Sequence, residues 1–296
     1  VGSEMCIRDS PRRSARPARM DHDQQASRIH KISFTDLFHL EPHGPDTYVG
    51  IMARYPWGGR LFGGQVVAQA LRAAIHTVDP ARSAHSFHSY FIRPGSPDEP
   101  IRFEVERLRD GRSFTTRQVV ARQSAGAILN ASVSFQVAED EADAQIAELD
   151  PALPSPDDPN LRNDSWGALL DRRAVDLPDG RVGYWIRLTA DLGHDPVNHI
   201  CGLTFMSDAA PFRAGRSAHP DFANDETDRT RFVGASLDHS VWFHRPSSAD
   251  EWHWFDTRSH GLAGGRGLAT GDVLRADGTH IATIAQQILL RRNRNL

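Results

Sequence analysis

One stretch of this sequence occurs twice. His88-Ser89-Tyr90-Phe91-Ile92-Arg93-Pro94 returns as His239-Ser240-Val241-Trp242-Phe243-His244-Arg245-Pro246. Each copy is followed by a glycine-containing turn, Gly111 and then Gly261, and closed by a terminal strand, to Gln136 and then to Gln286 or Gln287. An offset of about 150 residues in a chain of 296 describes two fused domains of one kind, because a solenoid needs several stacked repeats to bury a continuous core. Each copy has the length of an ordinary domain and room for its own core.

The pattern inside the first copy says what such a domain contains. From Phe62 onward, Val67, Ala70, Leu71, Ala74 and Val78 recur at helical spacing with apolar residues over more than half the circumference, which predicts a buried helix. Period-two runs follow. Ile101, Phe103 and Val105 alternate with Arg102, Glu104 and Glu106, and Ala131, Val133, Phe135 and Val137 alternate with Asn130, Ser132, Ser134 and Gln136. These are half-buried antiparallel strands, and Arg109-Asp110-Gly111-Arg112 has the turn chemistry to join strands into a hairpin. One buried helix followed by a meander predicts a sheet wrapped around a helix.

The remaining segments divide the chain. Residues 1–28 hold Pro11, Pro17 and several arginines without apolar periodicity and read as a disordered arm. Residues 1–10 resemble a translated sequencing adapter, which makes Met20 the expected start. Residues 137–160 carry eight carboxylates, four prolines and no basic side chain, so they cannot bury enough apolar surface to fold alone. The expected organisation is an arm over 1–28, one domain over 29–137, an acidic linker over 138–165 and a second domain over 166–296.

Several functions are excluded at once. Lys31 is the only lysine among 34 basic side chains, so a phosphate loop ending in Gly-Lys-Ser/Thr does not exist here. Nucleophile-elbow, zinc-helix and dinucleotide-turn motifs are absent as well. Basic and acidic groups nearly balance at a net charge of −4, which gives no bulk attraction to nucleic acid. No run approaches the roughly 20 apolar residues of a membrane helix. Cys6 and Cys201 form no metal-binding or disulfide pattern, which fits a reducing, cytoplasmic setting.

Five segments, Leu61–Leu71, His85–Gly95, Leu108–Phe114, Ser236–Pro246 and Ala282–Arg291, resemble the acyl-CoA thioesterase II family in order and in both halves, covering about residues 35–292. The resemblance implies an α+β double hotdog, two fused domains each with an antiparallel sheet around a central helix. It implies hydrolysis of acyl-CoA to free fatty acid and coenzyme A, by a water that an aspartate, a hydroxyl and a glutamine hold. The Ser207-Asp208 pair, at the expected start of the second domain's helix, supplies the aspartate. Ser236, two residues before Asp238, supplies the hydroxyl, and Gln286 the amide.

Each residue has a plainer reading beside this one. Gln286 shares a strand face with Ala282, Ile284, Ile288 and Leu290 and needs a polar partner, which backbone alone could supply. Ser236 shares a face with Asp238 and Trp242 on strict alternation, with His239 opposite, and a serine there is commonly a turn residue. Asp208 is placed to cap a helix that Pro211 opens, and the amides of that helix end would favour its ionised form. Gly63-Gly64-Gln65 either brings backbone donors to the thioester oxygen or only lets helix and sheet pack closely. Arg266, between Gly265 and Gly267, is the best single candidate for a coenzyme A phosphate among many arginines, against a solvated loop arginine.

No carboxylate opens the first helix, so one catalytic centre per chain is expected, with no metal and no cofactor beyond the coenzyme A of the substrate. Trp242, Trp252 and Trp254 read as core or interface. Exposed outer strands suggest a homodimer or higher homo-oligomer. The alternatives are an acyl-thioester hydratase on the same fold, which would use an Asp/His pair, and a non-catalytic acyl-CoA binding protein.

Overall fold

A computed structural model describes residues 33–293 except 54, 56–58, 168, 179 and 224–230. The predicted arm therefore lies outside the described residues. The first half runs α1 (Phe34–Phe38), β1 (Leu40–Pro42), β2 (Thr47–Gly50), α2 (Gly63–Ile75), β3 (Arg82–Phe91), β4 (Ile101–Asp110), β5 (Phe114–Gln123) and β6 (Gly126–Val137). The second runs β7 (Arg162–Asn163), β8 (Leu170–Asp176), β9 (Arg181–Leu188), α3 (Pro196–Ser207), α4 (Pro211–Ser217), β10 (Phe232–Ser236), β11 (Asp238–Phe243), β12 (His253–Ala263), β13 (Arg266–Arg275) and β14 (His280–Arg292).

The duplication governs the topology. The strands form one antiparallel sheet in the order β1-β2-β4-β5-β6-β3-β11-β14-β13-β12-β9-β8-β7, with β10 also on β14. Reading outward from the centre, β3-β6-β5-β4 is matched by β11-β14-β13-β12. The two copies of the repeated block are the central pair, with Val241 opposite Phe87 and His239 opposite Ser89. The alternating run of β4 faces that of β5 across the predicted hairpin, closed by Gly111 N–H donating to the Phe114 carbonyl at 2.9 Å. In the second half the turn falls at Gly264-Gly265. Gly261, at φ +103°, lies inside β12 where the register with β13 shifts.

Helix α2 is buried almost all round, as its apolar circumference requires. The second half's helix is broken. Pro211 has no N–H to give the Ser207 carbonyl and its ring crowds that carbonyl, so α3 stops at Ser207 and α4 starts afresh. Helices α2 and α3 lie side by side. Phe205 meets Phe62 at 5.0 Å and Phe34 at 5.1 Å between ring centroids, both edge-to-face.

The acidic segment is irregular up to β7 and lies across the outer face of the second half's sheet. Leu149, Leu153 and Leu161 pack against Val175, Trp185, Trp254 and Leu274. The Trp185 indole N–H donates to the Pro154 carbonyl at 2.9 Å.

Candidate active site

The break between α3 and α4 delivers Asp208. Its backbone remains helical and its N–H reaches the Met206 carbonyl, so it ends α3 and opens no helix; the cap of α4 is Ala210, without a side-chain bond. This corrects the expected place of Asp208 at a helix start, and with it the N-cap reading. Its carboxylate turns toward the N-terminus of α2, the helix of the other half. A Cβ on Gly63 would stand 2.7 Å from Asp208 Oδ2, and the Gly64 backbone N–H favours the charged carboxylate. The positive helix end that steadies Asp208 is thus contributed across the duplication.

Asp208 is only 6% exposed, and burial pushes its carboxyl up to about 7, against the opposing pull of Gln286 and the Gly64 amide. Gln286 Nε2–H donates to Asp208 Oδ1. Gln286 is wholly buried with Ala282, Ile284, Ile288 and Leu290 along one face of β14, as alternation predicts. Its Oε1 is the only buried side-chain oxygen without a partner among the described residues.

Ser236 reaches the same face by a slip in register. Through β10 it stands opposite Ile288, and Ile288 shares its face with Gln286. Through β11 the pairing is Ser240 with Ala285, which sets His239 opposite Gln286. One extra residue at Leu237 separates the two registers: its N–H donates to the Gln287 carbonyl, and the Gln287 N–H is taken by the Asp238 carboxylate at 2.6 Å. The bulge reverses the parity of the strand. Ser236 therefore lies on the Gln286 face and not with Asp238 and Trp242, and His239, expected opposite Ser236, points the same way as Ser236. Among the described residues the Ser236 hydroxyl bonds to neither Asp208 nor Gln286.

Asp208, Ser236 and Gly63 line one cavity of about 780 Å³, and Gln286 stands behind Asp208. Its apolar wall includes Leu61, Phe62, Val66, Phe91, Ile128 and Phe212, and Arg60, Arg93, Arg162, Arg172, Arg213 and Arg216 also border it. Arg172 is held between Trp166 and Tyr184 and donates to the Ala209 carbonyl at 2.7 Å, bracing the turn that carries Asp208.

Three candidates lie elsewhere. Gln65 is spent on structure: its Oε1 accepts from Ala53 N–H and the Tyr55 hydroxyl, and its Nε2 donates to the Ile51 carbonyl. Arg266 is exposed beside the β12–β13 turn and is not among the lining residues. Gly64 is not a lining residue either; a Cβ there would collide with the Phe205 carbonyl at 2.4 Å, so it serves the contact between α2 and α3. Two residues of the site escaped the sequence reading, Ser207 and His239. The His239 Nε2 lies 2.7 Å from Ser207 Oγ and its Nδ1 3.4 Å from Gln286 Nε2, and burial pushes its ring down to about 3, so it is neutral. Pro211 four residues after Ser207 was the available sign of the broken helix; nothing local signals the Leu237 bulge.

A buried carboxyl that burial raises to about 7, at the wall of a partly apolar cavity bordered by arginines, has the make-up of an enzyme site for a ligand with apolar and anionic parts. Known proteins narrow the class. Residues 53–136 match the acyl-CoA thioesterase N-terminal domain and residues 141–290 the acyl-CoA thioesterase C-terminal domain. The sequence is 31% identical to acyl-coenzyme A thioesterase 8 of Mus musculus over 92% of each chain. It is 32% identical to acyl-CoA thioesterase 2 of Haemophilus influenzae over 78% of this chain and 88% of that one. The crystal structure of an acyl-CoA thioesterase II from Mycobacterium marinum superposes with a TM-score of 0.77 at 35% identity, covering 89% of this chain and all of the other. This chain belongs to the acyl-CoA thioesterase family, and it is a thioester hydrolase with the double hotdog fold.

Proposed function

We propose that the chain hydrolyses acyl-CoA at one centre, with Asp208 as general base and Ser236 and Gln286 positioning the water. The observation that carries this reading is the bond from Gln286 to a buried Asp208 at the wall of the cavity that Ser236 also lines. Water attacks the thioester carbon while Asp208 takes its proton. The tetrahedral intermediate then collapses, the carbon–sulfur bond breaks, and the proton passes from Asp208 to the departing thiolate, leaving carboxylic acid and free coenzyme A. A carboxyl with its midpoint near 7 suits both transfers. The Gln286 Oε1 supplies an acceptor for a water hydrogen, and the Ser236 hydroxyl supplies one donor and one acceptor direction.

The first turn of α2 lacks a side-chain cap; with the Gly64 N–H given to Asp208 and the Gln65 N–H to the Phe62 carbonyl, the Gly63 N–H at the cavity wall supports stabilisation of the oxyanion. The apolar wall takes the acyl chain. The bordering arginines, in place of Arg266, take the phosphates of coenzyme A. Side chains and water suffice for these steps, with coenzyme A entering as part of the substrate. Buried, unpaired Cys201 fits the reducing cytoplasm. Exposed Tyr90 and Trp242 on the central strands suit a self-association face of a homo-oligomer. Among the described residues no helix is long and apolar enough to cross a membrane.

Asp208 and His239 both reach Gln286, and these are the residue types a hydratase would need. The His239 Nε2 is taken up by Ser207 Oγ and its Nδ1 faces the Gln286 amide, so neither ring nitrogen is turned to an acyl chain. A thiol reagent with a medium- or long-chain acyl-CoA tests the reading. Steady thiol release is expected; hydration without release, or binding alone, refutes it.

A further inference from the structure

We infer that His239 is a positioning residue that holds the Gln286 amide in the one orientation able to serve the hydrolytic water, with Ser207 fixing the tautomer of its ring. The inference rests on the role given to Gln286 above. It starts from a chain of hydrogen bonds with a single direction. Ser207 Oγ donates to the Thr204 carbonyl at 2.8 Å, so its one hydrogen is spent. Toward His239 Nε2, 2.7 Å away, Ser207 Oγ acts only as acceptor, and the ring carries its hydrogen on Nε2. A neutral ring protonated at Nε2 presents a lone pair at Nδ1. That lone pair faces Gln286 Nε2 at 3.4 Å.

The Gln286 NH2 group thus stands between two acceptors, His239 Nδ1 and Asp208 Oδ1. Two hydrogens meet two lone pairs. The carbonyl oxygen is turned away from both and left as the unpaired buried acceptor. The opposite flip would set Oε1 against a lone pair and a carboxylate, which repel it. His239 has few other calls on it. Its ring nitrogens face Ser207 and Gln286, and its backbone carbonyl accepts from the Ser89 hydroxyl at 3.0 Å in the central strand pair. Remove the Nδ1 lone pair and Asp208 alone selects the flip, a selection that weakens each time Asp208 takes the proton of the water.

The test is a kinetic cycle on the full chain. His239→Phe keeps a ring and removes both nitrogens. It should lower kcat about 100-fold, the scale of a misplaced reacting group, while KM stays within about twofold because no lining side chain changes. His239→Asn, whose side-chain oxygen can accept near the Nδ1 position, should recover about tenfold of that loss. In a Gln286→Ala background, His239→Phe should change kcat by less than about twofold, because its target is gone. Should His239→Phe fail to fold, Ser207→Ala takes its place: it releases the tautomer and should lower kcat about tenfold at unchanged KM. A folded His239→Phe or Ser207→Ala protein with wild-type kcat overturns the inference, as does an equal loss with and without Gln286. Full activity in Gln286→Ala alone instead overturns the role of Gln286 itself, which separates the two failures.

Discussion

Replacing Asp208 by asparagine should abolish turnover and stabilise the fold at once, and the second effect has a pH signature. Burial raises the Asp208 carboxyl from 3.8 to about 7. At about 1.4 kcal/mol for each tenfold change, keeping the carboxylate charged in the folded protein costs about 4 kcal/mol. The folded state holds the proton more tightly than the unfolded chain, so this contribution is fully present below pH 3.8 and is lost as pH rises through about 7. Asparagine does not titrate and is spared that loss. From pH 5 to pH 8 the stability of Asp208→Asn relative to the native protein should therefore grow by about 2 to 3 kcal/mol. Denaturant titrations of both proteins at the two pH values measure it directly. In the same proteins kcat of the native enzyme should rise with pH through about 7 as the base ionises, and Asp208→Asn should fall by about 100-fold or more. A difference in stability that does not change between pH 5 and 8, or an Asp208→Asn enzyme with native turnover, refutes the assignment of a buried general base.

Three further substitutions address the surroundings. Gly63→Ala sets a methyl 2.7 Å from Asp208 Oδ2 and 2.9 Å from the Phe91 ring, and should lower kcat about 100-fold with little change in the circular dichroism of the fold. Ser236→Ala removes from the cavity wall the hydroxyl proposed to position the water and should lower kcat about tenfold, the worth of one good hydrogen bond, with thermal stability unchanged. Arg172→Met keeps an apolar stem but gives up the bonds to the Ala209 carbonyl and to Asp164; it should destabilise by about 2 kcal/mol in denaturant and lower kcat, because the turn bearing Asp208 loses its brace.

What could be read without coordinates, and what could not, follows from the range of the forces involved. The burial of α2 and the face of β14 that holds Gln286 are local consequences of periodicity, and both are found as expected. The place of Asp208 needed a stronger reading of Pro211, which breaks the helix that the apolar run from Ile200 to Ala210 would otherwise continue. Ser236 and His239 were set on opposite faces because alternation was counted through Leu237, where the register slips by one residue. That slip is a matter of pairing with β14. Gln65 was a candidate by adjacency to the glycines, yet its amide closes the loop at Ile51–Tyr55. The partner of Asp208, the Gly64 amide, belongs to the other half of the chain, and no local pattern joins the two.

That last contact also supports the proposal of a single centre in a duplicated chain. The start of α2 presents backbone N–H groups but no carboxylate, whereas the helix broken at Pro211 sets a carboxylate in mid-run and turns it to the Gly64 amide of α2. Identical halves would supply either two helix starts or two acids. The copies have instead diverged into complementary parts, Gly63-Gly64 at the entrance of α2 and Asp208 at the end of α3. They meet because α2 and α3 pack side by side through Phe62 and Phe205. The tight fit at Gly64, which places its amide toward Asp208 and the Phe205 carbonyl against its Cα, makes this packing and the electrostatics of the site one constraint.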